Sequence, residues 1–490
     1  MRRAFPELCF ALLVGCGDGD GPAVVTTMAS SSSSSGSPDA SSSTAATSAA
    51  VDGTASEASG SSSGSGGDEV PVPSDEQWAR LLALRYTDAP PPPDVSNAWA
   101  DDDAAAALGQ ALFFDPRFSG PLLDGDNDGS SGTLGVDGEV HRVACASCHV
   151  PTDGFVDTRS PHQQISLAAG WVLRRTPGLL EVGFASLLGW GGRRDALYNV
   201  AFGAIENARE FNSSRLYVAK QLALHHRAAY EQLFGPMPDF ADPLRFGTLD
   251  GQDNGCASLD ATACPGRPGD GGVYDGLAPA DREAVTRAVV NAGKALGAYL
   301  RRLRCGASRF DAWLDGDAGA LSAAEVRGAI AFVSQGDCDR CHDGPMLTDF
   351  GFHNVGLVPQ TVATVFVDLD DFGASVDLAA AQEDPLGVHG SYADGDDGRL
   401  PAAIDPAMLG AFKTPSLRCI AEHPSFMHTG HMSSLDEVVH FHVRGGDPGG
   451  FPGTSELAPL PLDADDEADL VAFLAALQGP GPDAALLAPP

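Results

Sequence analysis

The sequence predicts a mainly α-helical protein whose helices are joined by long irregular loops. Three observations carry that expectation: apolar residues recur at helical spacing in several separate segments, the apolar–polar alternation of strands is scarce, and Gly 58 with Pro 35 make up about a fifth of the chain. At 490 residues the chain has room for two to four domains of ~100 to 200 residues each and needs no small-protein staples.

Taken in order, the first segment reads as export. Arg2 and Arg3 precede a short apolar run from Leu8 to Val14, and Leu13-Val14-Gly15-Cys16 resembles a bacterial lipoprotein cleavage box. The run is too short for a membrane span, and no later stretch is long enough either. Residues 1–16 are therefore expected to be a lipoprotein signal ending at a lipidated Cys16. Residues 17–73 are Ser-, Gly-, Ala- and Thr-rich with almost no large apolar side chain, so they cannot offset their ordering entropy and read as a disordered tether.

Folded sequence begins near Ser74, where Ser74-x-x-Gln77 forms a capping box ahead of Trp78, Leu81 and Leu82, and Pro90 to Pro93 close that helix. A second helix is expected from about Asp102 to Phe114. A long one follows from Pro279 to Arg304, with Val285, Val289, Ala292, Leu296, Leu300 and Leu303 on one face, and another from Ser322 through Val333. The last places Leu470, Phe473, Leu474 and Leu477 behind an acidic first turn of Asp465, Asp466 and Glu467, as the helix dipole prefers.

Charge excludes partners. Lys+Arg 30 against Asp+Glu 66 gives a formal net charge of −36, which makes extended phosphate contacts unfavourable and argues against nucleic acid and anionic membrane surfaces alike. Contact with a membrane is expected only through the lipid anchor.

One signature occurs twice, Cys145-Ala-Ser-Cys148-His149 and Cys338-Asp-Arg-Cys341-His342. A single turn sets two thiols where each can add to a haem vinyl group, and the following His then reaches the iron, giving a thioether tether and an axial imidazole. A zinc knuckle would want its second C-x-x-C much closer, and a redox dithiol has no use for a His in both copies. Two covalently bound c-type haems are the cofactors this pattern implies.

Around these motifs the chain resembles the bacterial di-haem cytochrome c peroxidase family, which also contains the MauG-type protein-modifying enzymes. The stretches that carry the resemblance run from Asp101 to Leu477: Leu108-Gly-Gln-Ala-Leu-Phe-Phe-Asp-Pro-Arg117, Arg175-Thr-Pro177, Trp190-Gly-Gly-Arg193 with Glu210, Phe352-His353-Asn354-Val-Gly356, Phe412-Lys-Thr-Pro-Ser-Leu-Arg418, Phe426-Met-His428-Thr-Gly430 and Leu435-Asp-Glu-Val-Val439. The resemblance implies two cytochrome-c-like helical domains with one c-type haem each, here residues 74–308 and 309–480, and a tail from 481 to 490.

Roles follow position by position. The haem on His149 is the peroxide-reacting one, and the distal carboxylate expected twenty residues after the Trp of the W-x-G-R motif is Glu210, which would take and return a proton during O–O cleavage. Trp190 matches an indole that relays electrons between the haems. Arg117, Arg193 and Arg418 match salt-bridge partners for haem propionates. The far ligand of the second haem iron lies fourteen residues after the His of the P-Y-x-H-x-G motif, here His428, and that position is His442. It is Met in peroxidases fed by cytochromes and Tyr in MauG-type enzymes; a second imidazole would leave the potential of the His342 haem lower than Met would. His440, His431 and Met432 are its rivals.

Several positions depart from the family pattern. Val200 and Ala204 stand where a distal Gln and a Pro are usual, which implies a drier pocket. The residues whose oxygens hold calcium between the domains fall at Arg175, His423 and Ser425, and a built-in cation is a poor neighbour for Ca²⁺, so calcium is doubtful. Asp124-x-Asp126-x-Asp128-Gly129 begins like an EF-hand loop but has Gly135 at the twelfth position and reads as an acidic surface insertion. His162 is the candidate on its loop for a ligand to the first haem in the resting state. Of the remaining cysteines, Cys256 and Cys264 are expected to pair, and Cys305 and Cys419 form a pair if the fold brings them close.

The function expected from these readings is reduction of hydrogen peroxide at the His149 haem, with electrons arriving through the His342 haem from a small cytochrome c or a cupredoxin. The alternatives are a MauG-type oxidase acting on residues of a protein substrate, and a di-haem electron carrier with both irons closed. The expected location is periplasm-facing and lipid-anchored.

Overall fold

Ser74 accepts a hydrogen bond from the backbone N–H of Gln77, and the Gln77 side chain accepts one from the backbone of Ser74, so the chain enters its first helix through the capping box the sequence spells. The computed structural model describes residues 70–160, 165–358 and 371–490. The export segment, Cys16, the tether up to residue 69 and His162 lie outside them.

The helices follow in chain order. The first half carries α1 (Asp75–Ala83), α2 (Asp103–Phe113), the single turn α3 (Cys145–Cys148), α4 (Leu197–Ile205), α5 (Arg215–His225), α6 (Arg227–Phe234), the short α7 (Pro243–Phe246) and α8 (Pro279–Leu300). After them come α9 (Arg309–Leu314), α10 (Ala323–Phe332), α11 (Ala374–Gln382), α12 (Leu435–Val443) and α13 (Ala464–Ala475). Two short strands, β1 (Phe352–His353) and β2 (Phe412–Lys413), pair antiparallel with Phe352 opposite Lys413. The fold is mainly helical, as expected. α2, α8, α10 and α13 begin and end within a few residues of the positions their apolar spacing predicts, with Asp102, Ser322 and Asp463 as side-chain caps. α4, α5 and α6 were not anticipated: α4 is apolar nearly all round and α5 has almost no amphipathic contrast, so neither presents a stripe to read.

Two principal hydrophobic cores organise these helices. The first joins α2, α4, α5 and α8 through Leu108, Leu112, Phe202, Leu216, Val285 and Val289. The second joins α1, α9, α10 and α13 through Leu81, Phe310, Val326, Phe332 and Phe473. In each, one helix crossing depends on a glycine. A Cβ on Gly109 would collide with the Ala295 carbonyl where α2 crosses α8, and one on Gly328 would collide with the Asp469 carbonyl where α10 crosses α13.

Packing runs in both directions across position 308/309, because the chain crosses between the cores. α1 packs with the second core, not the first: Leu81 and Leu84 lie among Phe310, Trp313 and Val326, and Arg80 pairs with Asp337 and Asp339 flanking Cys338. Conversely, Leu386, Val388 and Leu400 join the first core, and the last residues dock on it, with Gln110 donating to the carbonyls of Ala485 and Ala488 and Tyr299 to that of Leu486. The described residues accordingly form one compact unit. Disulfides Cys256–Cys264 and Cys305–Cys419 are both formed, and the second ties the segment after α8 to the segment after Arg418. Among the described residues no helix is long and apolar enough to cross a membrane.

Candidate haem sites and the junction between them

Four cysteines remain free among the described residues, and they are the four of the C-x-x-C-H motifs: Cys145, Cys148, Cys338 and Cys341. Cys145 and Cys148 sit on the turn α3, entered by a hydrogen bond from the Ala144 backbone N–H to Ser147 Oγ. Burial pushes both thiols up to about 12, so neither is a ready thiolate, which disfavours the redox-dithiol alternative.

Beside Cys145 lies a small cavity of about 40 Å³ lined by Leu112, Phe118, Ala204, Ile205, Phe211 and Val289, among other apolar side chains. Its apolar lining is compatible with a hydrophobic group attached at Cys145. Ala204 is part of its wall, in keeping with the dry pocket the sequence implies.

The three histidines expected to bind iron share one arrangement. His149 Nδ1 lies 3.1 Å from the Phe155 carbonyl, His342 Nδ1 lies 3.0 Å from that of Leu347, and His442 Nδ1 lies 2.8 Å from that of Val438 one turn back in α12. Each ring thus donates from Nδ1 to a backbone carbonyl; His149 also meets the Pro177 backbone, whereas for His342 and His442 no hydrogen bond to Nε2 is seen among the described residues. The Nδ1 contact is what fixes tautomer and orientation in metal-bound imidazoles. His342 and His442 are close enough to interact: burial first, and then the charge of His442, push the His342 imidazole down to about 4. The residues present fit two haems, one held by Cys145, Cys148 and His149, the other by Cys338, Cys341 and His342 with His442 facing it. The rivals of His442 are otherwise engaged. His440 is exposed and pairs with Glu467, His431 contacts Thr429, and Met432 is buried against Phe426 and Phe441.

Glu210 is brought to the first site. Its charge is felt by both Cys145 and Cys148, and its Oε1 accepts a 2.7 Å hydrogen bond from Asn207 Nδ2. Burial pushes its carboxyl up to about 7, against the opposing pull of Asn207 and Arg194. Asn207 was not singled out in the sequence; its place three residues before Glu210 in an irregular turn gives no periodic signal.

Trp190 stands where the two halves meet. Its Nε1 donates to the Arg175 carbonyl at 2.7 Å, its own carbonyl accepts from the Lys413 N–H in β2, and its ring lies edge-on to His428 at 6.4 Å. His428 in turn stacks on Phe412 at 3.5 Å, and Arg174 covers Phe412 while pairing with Asp371 and Asp377.

The arginines expected to serve propionates are each paired with an Asp of the chain. Arg418 is fully buried, and its five N–H groups go to both oxygens of Asp311, Ser308 Oγ, the Leu84 carbonyl and the Pro345 carbonyl, leaving none for a cofactor. Arg117 is paired bidentately with Asp115, and Arg193 with Asp377; both guanidinium side chains are about half exposed. A reason is visible in each case: an Asp two residues away, or one brought in by α9 or α11, satisfies the charge within the chain.

The positions at which calcium is implied do come together, since Arg175 Nε donates to Ser425 Oγ at 3.1 Å and the Arg175 charge acts on His423. With a buried guanidinium among them they do not fit a divalent cation.

Comparison with known proteins agrees with the motifs. Residues 103–249 match the family described as di-haem cytochrome c peroxidase. The chain is 28% identical over 395 residues, 79% of its length and 84% of the relative's, to cytochrome-c peroxidase IdrP1 of Denitromonas iodatirespirans. It is also 28% identical over 377 residues, 76% of its length and 77% of the relative's, to the methylamine utilization protein MauG of Methylorubrum extorquens. The diheme peroxidase BthA from Burkholderia thailandensis E264 shares the fold, with a TM-score of 0.52 at 20% identity over 78% of this chain and 88% of that one.

Proposed function

Since the chain belongs to the bacterial di-haem cytochrome c peroxidase family, we propose that it reduces hydrogen peroxide at the site of Cys145, Cys148 and His149, with electrons relayed from the site of Cys338, Cys341 and His342. The observation that carries this reading is Glu210: a carboxyl poised near neutrality, electrostatically close to the first cysteine pair and held by Asn207. A haem bound there supplies a redox-active iron that accepts and gives up electrons. The chain supplies the proton handling. Glu210 takes a proton from hydrogen peroxide and returns it to the departing oxygen, so that peroxide, two electrons and two protons become two waters. The dry wall of Ala204, Ile205 and Phe211 keeps bulk water from competing. Trp190, hydrogen-bonded to the Arg175 and Lys413 backbones, is held rigidly enough to serve as the relay.

The second reading is MauG-type oxidation of a partner protein, and one observation favours it: the position facing His342 is His442 rather than Met. An imidazole there keeps the potential low and the oxidised form easier to reach. The proposed setting is the cell envelope, facing the periplasm on a lipid anchor, supported by the Leu13–Cys16 box and two disulfides.

Stopped-flow mixing of the fully oxidised and the fully reduced protein with peroxide, followed by addition of a reduced small cytochrome, separates the readings. Peroxidase function predicts stoichiometric oxidation of the cytochrome; a reaction with peroxide that leaves it reduced but modifies a protein selects the oxidase, and no reaction in either state sinks both. Cofactor content is checked independently: intact-mass measurement is expected to find two covalent haems, and Cys145→Ala with Cys148→Ala to remove one. Trp190→Phe is expected to slow electron transfer between the sites about tenfold or more while the first reaction with peroxide stays fast; equal slowing of both phases would mark Trp190 as a packing residue only.

A further inference from the structure

A buried guanidinium is costly unless a carboxylate and hydrogen-bond acceptors compensate it. The other deeply buried arginines obey this rule: Arg418 has Asp311, and Arg301 has Asp101. Arg175 does not. It is 6% exposed, it forms no ion pair among the described residues, and its Nη2 is buried with no hydrogen-bond partner among them. Its one side-chain bond is Nε to Ser425 Oγ. Burial lowers the guanidinium only to about 10, so it carries its charge at neutral pH. Neighbouring His423 cannot supply a counter-charge, since imidazole is neutral or cationic; burial and the guanidinium keep it neutral, and its Nδ1 is unpartnered among the described residues.

The place of this charge is fixed by its own backbone. Arg175 N–H donates to the His428 carbonyl at 2.8 Å, and its carbonyl accepts from Trp190 Nε1. Two residues on, the Pro177 backbone interacts with the His149 imidazole. His423 packs against Gly154 and Gly178, in the turn whose Phe155 carbonyl holds His149. The uncompensated cation therefore sits on the loop that frames the first cysteine-histidine motif, where a bound haem would bring carboxylates of its own.

We propose that Arg175 is the counter-ion of a propionate on the haem carried by His149, with Nη2 as the donor, and that this internal cation occupies the place a divalent ion would otherwise take. The assignment rests on haem occupying the first motif, and the experiment keeps the two claims apart by counting haems first. Holoprotein treated with EGTA is titrated spectroelectrochemically as wild type, Arg175→Gln and Arg175→Lys. Loss of a positive charge beside a haem favours its oxidised form. In Arg175→Gln the reduced-to-oxidised ratio of one haem at fixed poise is expected to fall about tenfold, which is about 59 mV for one electron, and Arg175→Lys is expected to recover most of it. Fewer than two haems in the wild type would sink the cofactor reading itself. With two haems retained, unchanged potentials in Arg175→Gln, or no recovery by Lys, would overturn the pairing. A wild-type potential that moves with chloride or phosphate would assign Nη2 to a solution anion instead, and one that moves with added CaCl2 would restore the divalent site. If Arg175→Gln does not accumulate, resonance Raman spectra decide between wild type and Arg175→Lys: shifted propionate bending bands support the pairing, and identical bands overturn it.

Discussion

Glu210→Gln slows the reaction with hydrogen peroxide by ~100-fold or more and leaves both haem spectra nearly intact, the scale expected when general acid–base help is lost. Gln keeps the volume and can still accept from Asn207 Nδ2, so packing around the turn is preserved, but it cannot take up a proton. The pH profile makes the result specific. Burial is the largest influence on Glu210 and raises its carboxyl to about 7. The form that can accept a proton from peroxide is the ionised one, which is populated above that value. The second-order rate constant of the wild type is therefore expected to climb as pH rises from 6 to 8, and the Gln variant to lose that limb. Stopped-flow measurement across this range checks both statements; an unchanged rate and profile would reduce Glu210 to a buried acid with no part in the reaction.

The second large effect is at the other site. His442→Gly converts the His342 haem from a low-spin, bis-imidazole form to a high-spin or water-ligated one, read by the loss of the low-spin signal in electron paramagnetic resonance. The wild type is expected to show no Met–iron charge-transfer band. The expectation rests on the hydrogen bond from His442 Nδ1 to the Val438 carbonyl, which leaves Nε2 uncommitted, and on the electrostatic reach of His442 to His342. His440, two residues earlier on α12, points to Glu467 instead, so His440→Gly is the control that leaves the spectrum unchanged. Survival of the low-spin signal in His442→Gly would mean another residue is the ligand, and the argument for a low potential at this haem would go with it.

What the sequence determined by itself is the chemistry that depends on close spacing. A C-x-x-C-H turn fixes two thiols and an imidazole within five residues, a capping box fixes a helix start within four, and an apolar stripe fixes the buried face of α8 or α13; all are local, and all are legible. The position of His442 was reachable only through the family resemblance, which implies the far ligand fourteen residues after His428. Tertiary structure decided what depends on partners far along the chain. Arg418 reads like a cofactor ligand until α9 brings Asp311 to it, and α1 belongs to the second core because the apolar surface of α9, α10 and α13 is where Leu81 can be buried. Arg175 shows the reverse case. Its sequence context marks it as an obstacle to calcium, and only the fold reveals a buried cation lacking a carboxylate, because charge compensation is a property of three-dimensional neighbours rather than of residues adjacent in the chain.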